Sequence, residues 1–188
     1  MAANNNFIAA IEFGSSKITG IAGLKNKDGN LEVLAVASAE SSSFIQRGLI
    51  YNLNKASNSI TYIIQQLENT LNAKINKVYT GISGQSVHSV RNFINRTLTS
   101  ETTISKEIVE SIVDSNREIL NDDWELLDVA PQEYKVGGFE KTDPVGMVDS
   151  HIEGRFQNII AQKVLKQRLT ESFRETNIEV EEYFIEPI

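Results

Sequence analysis

The sequence predicts an α/β protein in which a mixed sheet with covering helices is interrupted by a small inserted α+β module. Two apolar runs joined by a Gly-Ser-Ser turn open the chain over Phe7–Leu24 and predict a β-hairpin. Strand-like and helix-like periodicities then alternate up to Gly84 and resume from Gln162. Between these two positions the apolar residues alternate less cleanly, which indicates a module with its own organisation.

Composition narrows the class of protein. The 188 residues suffice for one large domain or two small ones, and 40% hydrophobic with 23% charged residues is typical of a globular protein. A net charge of −7 without a basic stripe argues against nonspecific nucleic-acid binding. The chain has no cysteine and two distant histidines, His88 and His151, so thiolate and His-based metal sites are not expected. The sequence shows no secretion signal and no apolar run near the ~20 residues of a membrane span, which favours the cytoplasm.

The first strand of the hairpin is expected to be central in the sheet. Alternation places one set of its residues on one face and the other set on the opposite face, and both sets are mostly apolar. The first set is Ile8, Ala10 and Glu12, and the second is Phe7, Ala9, Ile11 and Phe13.

The hairpin tip is the candidate phosphate site. Gly14 is free to take a positive φ, and Gly14, Ser15, Ser16 and Lys17 present consecutive backbone N–H groups, two hydroxyls and one ammonium. Glu12 stands beside them and would hold the waters of a Mg²⁺ ion. On these residues alone, the alternative is an ordinary hairpin turn with a charge at the strand end.

The segments that follow complete a sheet. An Asp-Gly turn within Lys25–Asn30 predicts that Leu31–Ala39 pairs back on the second strand, which gives three antiparallel strands. After an irregular stretch, Glu40–Leu53, a helix is predicted, and Lys77–Ile82 is then a strand reached by a right-handed crossover and hence parallel to its neighbour. The helix is indicated by apolar residues at helical spacing: Ala56, Ile60, Ile63, Ile64, Leu67 and Leu71.

The middle module has the order strand, helix, strand, strand. Ser105 is a candidate N-cap for its helix, and Pro131 predicts an edge or a bulge in the strand that contains it. The predicted pieces are the strand Val87–Leu98, the helix after Ser105, the strand Trp124–Val136, the loop Gly137–Asp149 and the strand Ser150–Ala161.

Beyond the module, a helix over Gln162–Glu175 and a strand over Val180–Ile185 are predicted. This helix also carries basic residues, so a membrane-surface helix is an alternative, although a helix that covers a sheet has the same pattern. The basic residues are Lys163, Lys166, Arg168 and Arg174. Without the module the order is three strands, helix, strand, helix, strand, which is that of the ribonuclease-H-like core of the actin and Hsp70 superfamily. In that fold the tip of the first hairpin holds the β- and γ-phosphates, which favours the phosphate-site hypothesis for Gly14–Lys17.

Several motifs resemble the FtsA family of actin-like bacterial cell-division proteins. EFGSSK is similar to the family's DIGTSK, RGLIYNL to RKGVIVDI and YTGISG to YVGISG. APQEYKVGG and DPVGM resemble the family signatures LPQEY and DPVGM, and these two are the most specific. The similarity extends in register from Phe7 to Ile188.

The resemblance implies a domain organisation and a role. Subdomain IA would comprise 1–84 and 162–188, and an SHS2-like subdomain 1C would comprise 85–161. The family binds ATP and Mg²⁺, polymerises at the inner face of the cell membrane at the division site, anchors and organises the FtsZ ring (the Z ring) and recruits later divisome proteins to the septum. Its 1C subdomain serves self-association and contacts partners such as FtsN.

Two departures from the family pattern limit what carries over. Glu12 replaces the family's Asp at the phosphate loop, so its carboxylate would lie more than ~1 Å nearer the metal waters. The chain is also expected to be an N-terminal fragment, because the second phosphate loop, the adenosine pocket, the FtsZ-tail site and the C-terminal membrane helix of the family do not appear in it. An incomplete ATP and Mg²⁺ site, no catalytic residue and no ATPase activity are therefore expected for these residues, and at most weak ATPase activity for a full-length protein.

Two other functions share this fold. A PilM-like pilus-assembly protein also carries a 1C-like module, but PQEY and DPVGM argue against it. A small-molecule kinase of the same superfamily would require a catalytic carboxylate between two lobes, and this sequence supplies only one lobe.

Overall fold

A computed structural model of the chain describes residues 7–118 and 122–186. It contains eleven strands and three helices in these ranges. In chain order, the first part consists of β1 (Ile8–Phe13), β2 (Lys17–Lys25), β3 (Leu31–Glu40), β4 (Ile45–Gln46), β5 (Leu49–Ile50), α1 (Leu53–Leu71) and β6 (Lys77–Ile82). The remainder consists of β7 (His88–Thr103), α2 (Lys106–Arg117), β8 (Trp124–Val136), β9 (Phe139–Lys141), β10 (Val148–Gln162), α3 (Lys163–Arg174) and β11 (Glu179–Ile185).

The chain divides into two compact units. The first unit contains 1–85 and 164–188, and the second contains 86–163. The chain thus leaves the first unit once and returns to it once.

The first unit is built on a five-stranded mixed sheet with the order β11-β6-β1-β2-β3. β1 pairs antiparallel with β2 and parallel with β6, so it is the central strand that its two apolar faces predict. β2 pairs antiparallel with β3, and β11 pairs parallel with β6. The predicted meander and the parallel strand after the crossover helix are both confirmed.

Both helices of the first unit cover the same face of this sheet. A Cβ at Gly20 of β2 would lie 2.3 Å from Ile63 Cγ2 of α1, so α1 packs directly on the strand backbone. The ring edge of Phe173 in α3 packs on Phe13 of β1 at 5.7 Å between centroids. Ser57 Oγ of α1 donates to the carbonyl oxygen of Ser172 in α3 at 2.7 Å, which joins the two helices. On the other face, the described residues of this unit supply no helix.

Capping residues fix the ends of α1. Asn52 is the N-cap and its side chain accepts from the Lys55 backbone N–H, while Asn72 ends the helix in the left-handed region at φ 50°. Glu68 accepts from the Ile75 backbone N–H at 2.9 Å and pairs with Lys74, which directs the chain into β6.

The second unit is a four-stranded antiparallel sheet with the order β7-β10-β8-β9, with α2 packed on one face. Ser105 caps α2, as predicted, by accepting from the Ile108 backbone N–H. The register of β10 with β8 shifts next to Pro131, which is the predicted bulge. The fully buried core of this unit is formed by Ile104, Ile112, Tyr134, Val136, Ile152 and Phe156.

Two segments predicted to be irregular contain short strands. The stretch Glu40–Leu53 includes the small β4–β5 hairpin, whose turn residues Arg47 and Gly48 have φ of 53° and 81°. The loop Gly137–Asp149 includes β9, which adds a fourth strand to the module. Strands of two or three residues carry no measurable alternation, which is why the sequence did not predict them.

Candidate functional site

The candidate site is the tip of the β1–β2 hairpin. The strands pair as far as Phe13 and Ile18, and the Gly14 N–H donates to the Lys17 carbonyl at 3.1 Å to close the turn. Because β1, β6 and β11 are parallel, their carboxyl ends meet at one edge of the sheet, and this tip lies at that edge. Ligands of open α/β sheets bind beyond the carboxyl ends of the strands.

Gly14 is required for a different reason from the one predicted. It does not have a positive φ. A Cβ at this position would instead lie 2.8 Å from the Lys17 carbonyl oxygen and 3.4 Å from Glu12 Oε1. The glycine therefore permits a close approach of backbone to backbone, so that prediction for Gly14 was wrong in its mechanism.

Ser41 holds the loop in shape, although no short motif in the sequence indicates it. Ser41 is fully buried. Its Oγ donates to the Gly14 carbonyl oxygen at 2.6 Å, and its backbone N–H donates to the Ser16 carbonyl oxygen at 3.1 Å. With these two carbonyl groups tied back to Ser41, the conformation of the loop is fixed before any ligand binds.

A second turn lies against the hairpin tip. The Gly48 N–H donates to Ser15 Oγ at 3.4 Å. A Cβ at Gly48 would lie 2.5 Å from Gly84 Cα and 2.5 Å from the Ser83 carbonyl oxygen, so only glycine fits. The Gln85 N–H donates to the Arg47 carbonyl oxygen at 3.2 Å. Gly14–Lys17, the β4–β5 turn and the end of β6 therefore form one packed cluster of loops.

The two charged residues of the site are free of ion pairs. Glu12 and Lys17 lie on the same face of the sheet, since Glu12 pairs with Thr19 and Lys17 lies two residues from Thr19. Both side chains are exposed, and no salt bridge joins either to another described residue. A carboxylate and an ammonium thus flank the turn and remain available to a ligand.

Glu186 is a second carboxylate at this edge, although no short motif in the sequence indicates it. Its N–H donates to the Ile82 carbonyl oxygen at 3.1 Å, which continues β11 past its end. Its Oε1 is buried and has no hydrogen-bond partner among the described residues. A Cβ at Gly81 would lie 1.9 Å from this oxygen, so the carboxylate lies over Gly81. Because Ile11 pairs with Thr80, Gly81 is next to Glu12 in the sheet.

Comparisons with known proteins decide the family of the second unit. Residues 84–160 match the family described as the SHS2 domain inserted in FtsA. The second unit therefore resembles this domain and is called the SHS2 domain below.

The FtsA resemblance is confirmed over nearly the whole chain. The chain is 29% identical to FtsA of Porphyromonas gingivalis over 172 residues, which is 90% of this chain and 36% of that protein. It is 23% identical to FtsA of Escherichia coli K12 over 183 residues, which is 96% of this chain and 43% of that protein. The chain therefore spans about two fifths of the length of these relatives.

A solved structure shows the fold. The chain superposes on a subunit of the PilM-PilN type IV pilus biogenesis complex with a TM-score of 0.63, at 15% identity, over 96% of this chain and 47% of that chain. At this identity the similarity concerns the fold alone. The FtsA-like chain has the actin-like α/β fold that its element order predicts.

The predicted phosphate loop of this FtsA-like chain offers donors suited to a nucleotide. Beyond the Gly14 N–H, which closes the turn, the loop supplies backbone N–H groups and the free ammonium of Lys17, which suit phosphate oxygens. Glu12, with the orphaned oxygen of Glu186 over the neighbouring strand, would accept hydrogen bonds from the waters of Mg²⁺, an ion that usually keeps several waters. Among residues 7–118 and 122–186, no group of three His, Asp or Glu side chains could hold a metal directly. The donor set therefore fits Mg²⁺ only as a hydrated ion.

The two histidines of the SHS2 domain make local contacts. His88 packs edge-on against Trp124 at 5.2 Å, and its Nδ1 lies 2.9 Å from the Ser86 carbonyl oxygen. His151 Nδ1 lies 3.4 Å from Thr97 Oγ1. The contacts of both histidines are structural.

One ion cluster stands on the outer sheet face of the SHS2 domain. Arg155 contacts Glu133 at 2.5 Å, Glu140 at 2.9 Å and Glu153 at 2.8 Å. The hydrogen bonds that Arg155 donates to Glu153 and Glu133 raise the pKa of its guanidinium above the usual value, so it remains charged throughout the physiological range. Its positive charge is already compensated.

None of the described helices is both long and apolar enough to cross a bilayer.

Proposed function

We propose that this chain supplies one side of the phosphate-binding site of an FtsA-like, actin-fold cell-division protein, together with its partner-binding SHS2 domain. The observation that supports the nucleotide role is the pre-shaped turn Gly14–Lys17, with its unpaired lysine, at the carboxyl edge of the parallel strands. The division role is supported by similarity to FtsA over 90–96% of the chain.

The nucleotide site would assign a role to each residue of the hairpin tip. The backbone N–H groups that follow Gly14 in the turn would bind the β- and γ-phosphates of ATP, and Lys17 would add a charge-assisted hydrogen bond. Glu12 would orient waters of the Mg²⁺ ion, which when bound neutralises phosphate charge. Loss of the Lys17 ammonium removes a contact worth about 1.5–3 kcal/mol.

These residues line one side of a nucleotide only. A cofactor site gains affinity by enclosing most of the ligand surface, whereas the hairpin tip would contact only the phosphates. We therefore expect weak binding of ATP by the 188-residue chain and no measurable hydrolysis. Tight binding would require a second lobe that encloses the rest of the nucleotide.

Nuclear magnetic resonance of the ¹⁵N-labelled chain during titration with Mg²⁺-ATP tests this proposal, because it detects weak binding residue by residue. We expect amide shifts confined to Gly14–Lys17 and to Gly48, which contacts Ser15. Lys17→Ala should remove most of this response. Lys25→Ala is the matched control, because Lys25 has the same charge on the same strand at its far end.

Two results would contradict the nucleotide role. One is the absence of shifts at the hairpin with ATP in large excess. The other is an equal response in the Lys17 and Lys25 variants, which would show that Lys17 points away from the phosphates.

The partners belong to the proposal as well. The SHS2 domain would serve self-association and contacts with divisome proteins such as FtsN. Anchoring of the FtsZ ring and attachment to the inner face of the membrane would use the part of the relatives' length that this chain does not span. The protein would act in the cytoplasm at the division site.

A further inference from the structure

The strand β7 forms one edge of the SHS2 sheet and has a regular backbone. Its residues His88–Thr97 pair with Ile160–His151 of β10 over ten consecutive positions without a register shift. In the part of the chain that the structure describes, no strand pairs with the other side of β7. An edge strand of this kind presents a row of backbone N–H and C=O groups to solvent.

The opposite edge of the same sheet is protected. The outermost strand there, β9, has only three residues. The strand next to it, β8, contains Pro131, and its pairing with β10 shifts register twice. Short strands, proline and bulges are devices that prevent strand addition. The segment His88–Thr97 has none of the three.

The charges on this edge are positive and uncompensated. Arg91 and Arg96 have no carboxylate within 4.0 Å among the described residues. Arg96 is held on the α2 side by hydrogen bonds to the hydroxyls of Ser111 and Ser115, with a further bond to the Ser111 carbonyl oxygen. In a protein of net charge −7, where Arg155 already has three carboxylates, these two guanidinium groups are available to an acidic partner.

Alternation along the strand defines the pattern of that partner. Arg91 and Arg96 are five residues apart, so their side chains lie on opposite faces of the sheet. Phe93 lies on the same face as Arg91 and is 54% exposed, which offers an apolar contact. A complementary strand would carry acidic residues at an odd spacing, with apolar or β-branched residues between them.

A second copy of β7 fits this edge poorly. The only acidic residue of β7 is Glu101. One register of an antiparallel two-fold pairing places Glu101 opposite Arg91 of the second copy. In that register Arg96 lies opposite Arg96 of the second copy, and like charges directly opposite each other are destabilising. The register with Glu101 opposite Arg96 leaves Arg91 without a carboxylate. A segment with two carboxylates therefore complements this edge better than a second copy of β7.

We propose that the free edge of β7, His88–Thr97, binds an extended acidic segment of a partner protein by strand addition, with Arg91 and Arg96 pairing its carboxylates on the two faces of the sheet. This inference rests on the proposed partner-binding role of the SHS2 domain and names the surface and the chemistry of the partner. In this binding mode the backbone hydrogen bonds provide the affinity, and the two arginines provide specificity for acidic segments.

The test uses the 188-residue chain and a labelled peptide of about ten residues, the length of the regular edge. The peptide alternates valine and threonine and carries two glutamates five residues apart. Fluorescence anisotropy measures its affinity, and hydrogen exchange measured by nuclear magnetic resonance maps protection. We expect new protection confined to His88–Thr97. We also expect no binding of a peptide with lysines in place of the glutamates.

Matched variants separate the edge from general electrostatics. Arg91→Glu should weaken binding by roughly tenfold or more through loss of a charge-assisted contact and added repulsion. Lys106→Glu makes the same charge reversal at an exposed position in the first turn of α2 and should change binding by less than about twofold. Alternate N-methylation of the peptide, which removes backbone donors and retains the side chains, should abolish binding.

Four outcomes would overturn the inference. They are no binding of the acidic peptide, equal binding of the N-methylated peptide, protection that maps to β8 or β9, and protection of β7 by self-association without peptide. Binding of the peptide elsewhere on the SHS2 domain would contradict the assignment of the binding site to the β7 edge. It would still agree with a partner-binding role for the domain.

Discussion

Tyr134 is the buried ionisable residue of the SHS2 core. It lies on β8, is only 3% exposed, and packs edge-on against Phe156 at 6.1 Å between ring centroids. Burial raises the pKa of the Tyr134 phenol above its usual value of 10.0, because the charged phenolate is poorly solvated there. The folded domain therefore stabilises the neutral, protonated phenol.

This shift gives a stability that depends on pH. The pKa of Tyr134 is higher in the folded chain than in the unfolded chain. The contribution of Tyr134 to the free energy of unfolding is therefore fully present below the unfolded pKa and is lost as pH rises through the folded pKa. Tyr134→Phe should therefore reduce the loss of stability between neutral pH and strongly alkaline pH. Urea unfolding at both pH values, followed by the fluorescence of Trp124, the single tryptophan, measures this difference.

The exposed Tyr51 provides the control for this measurement. Tyr51→Phe should leave the alkaline loss as in the wild type. If Tyr134→Phe unfolds with the same pH dependence as the wild type, burial of the phenol does not control alkaline stability.

At the candidate site, local sequence predicted some residues and missed others for a physical reason. Glu12 and Lys17 belong to one hairpin, so a short motif suffices to bring them together. Ser41 reaches Gly14 across 27 residues, and only because β3 folds back on β2. Glu186 joins the same edge only because β11 lies parallel to β6. Contacts of this kind depend on strand order, which short motifs do not encode.

Among the secondary-structure elements, α2 is attached to its sheet by polar contacts as well as apolar ones. Asn116 of α2 is fully buried and exchanges two hydrogen bonds with Asn158 of β10, at 2.8 and 3.0 Å. Asn92 of β7 also donates to Asn116 Oδ1 at 2.8 Å. One amide of the helix thus joins two neighbouring strands.

Removing this amide should loosen the helix. Asn116→Ala leaves the buried Asn158 amide without partners and should lower the free energy of unfolding by about 1–3 kcal/mol. The double variant with Asn158→Ala should cost less than the sum of the two single variants, because the orphaned group is then gone. Urea unfolding by Trp124 fluorescence measures all three. Strictly additive losses would show that the two amides do not stabilise each other.

The elements with clear periodicity were predicted from sequence and the short ones were not. The bounds predicted for Lys77–Ile82 and Trp124–Val136 agree with β6 and β8. The strand β7 extends five residues beyond the predicted Leu98, through a region where pairing with β10 is irregular. Polar residues such as Thr99 and Ser100 carry no apolar alternation there, so only the pairing reveals the strand.

For the whole molecule, the main feature is how the chain passes between its two units. His88 and Ile160 are directly paired in the second unit, so the two ends of that unit lie side by side. In the first unit, a Cβ at Gly84 would lie 3.2 Å from Leu165 Cδ1, so the two points where the chain leaves and returns are also neighbours. Chain ends that lie close together are the condition under which one domain can be inserted into another.

Removal of the SHS2 domain should therefore leave the first unit folded. In the variant, 86–163 are deleted and a short Gly-Ser linker joins Gln85 to Val164. The linker spans only the gap between neighbouring residues, and closing so short a loop costs little entropy. We expect dispersed amide resonances for the five-stranded sheet and unchanged shifts at Gly14–Lys17 with Mg²⁺-ATP. The acidic ten-residue peptide should no longer bind this variant, whereas it should bind the 188-residue chain. Loss of folding would show that the domain completes the core of the first unit, and retained peptide binding would show that the partner binds elsewhere.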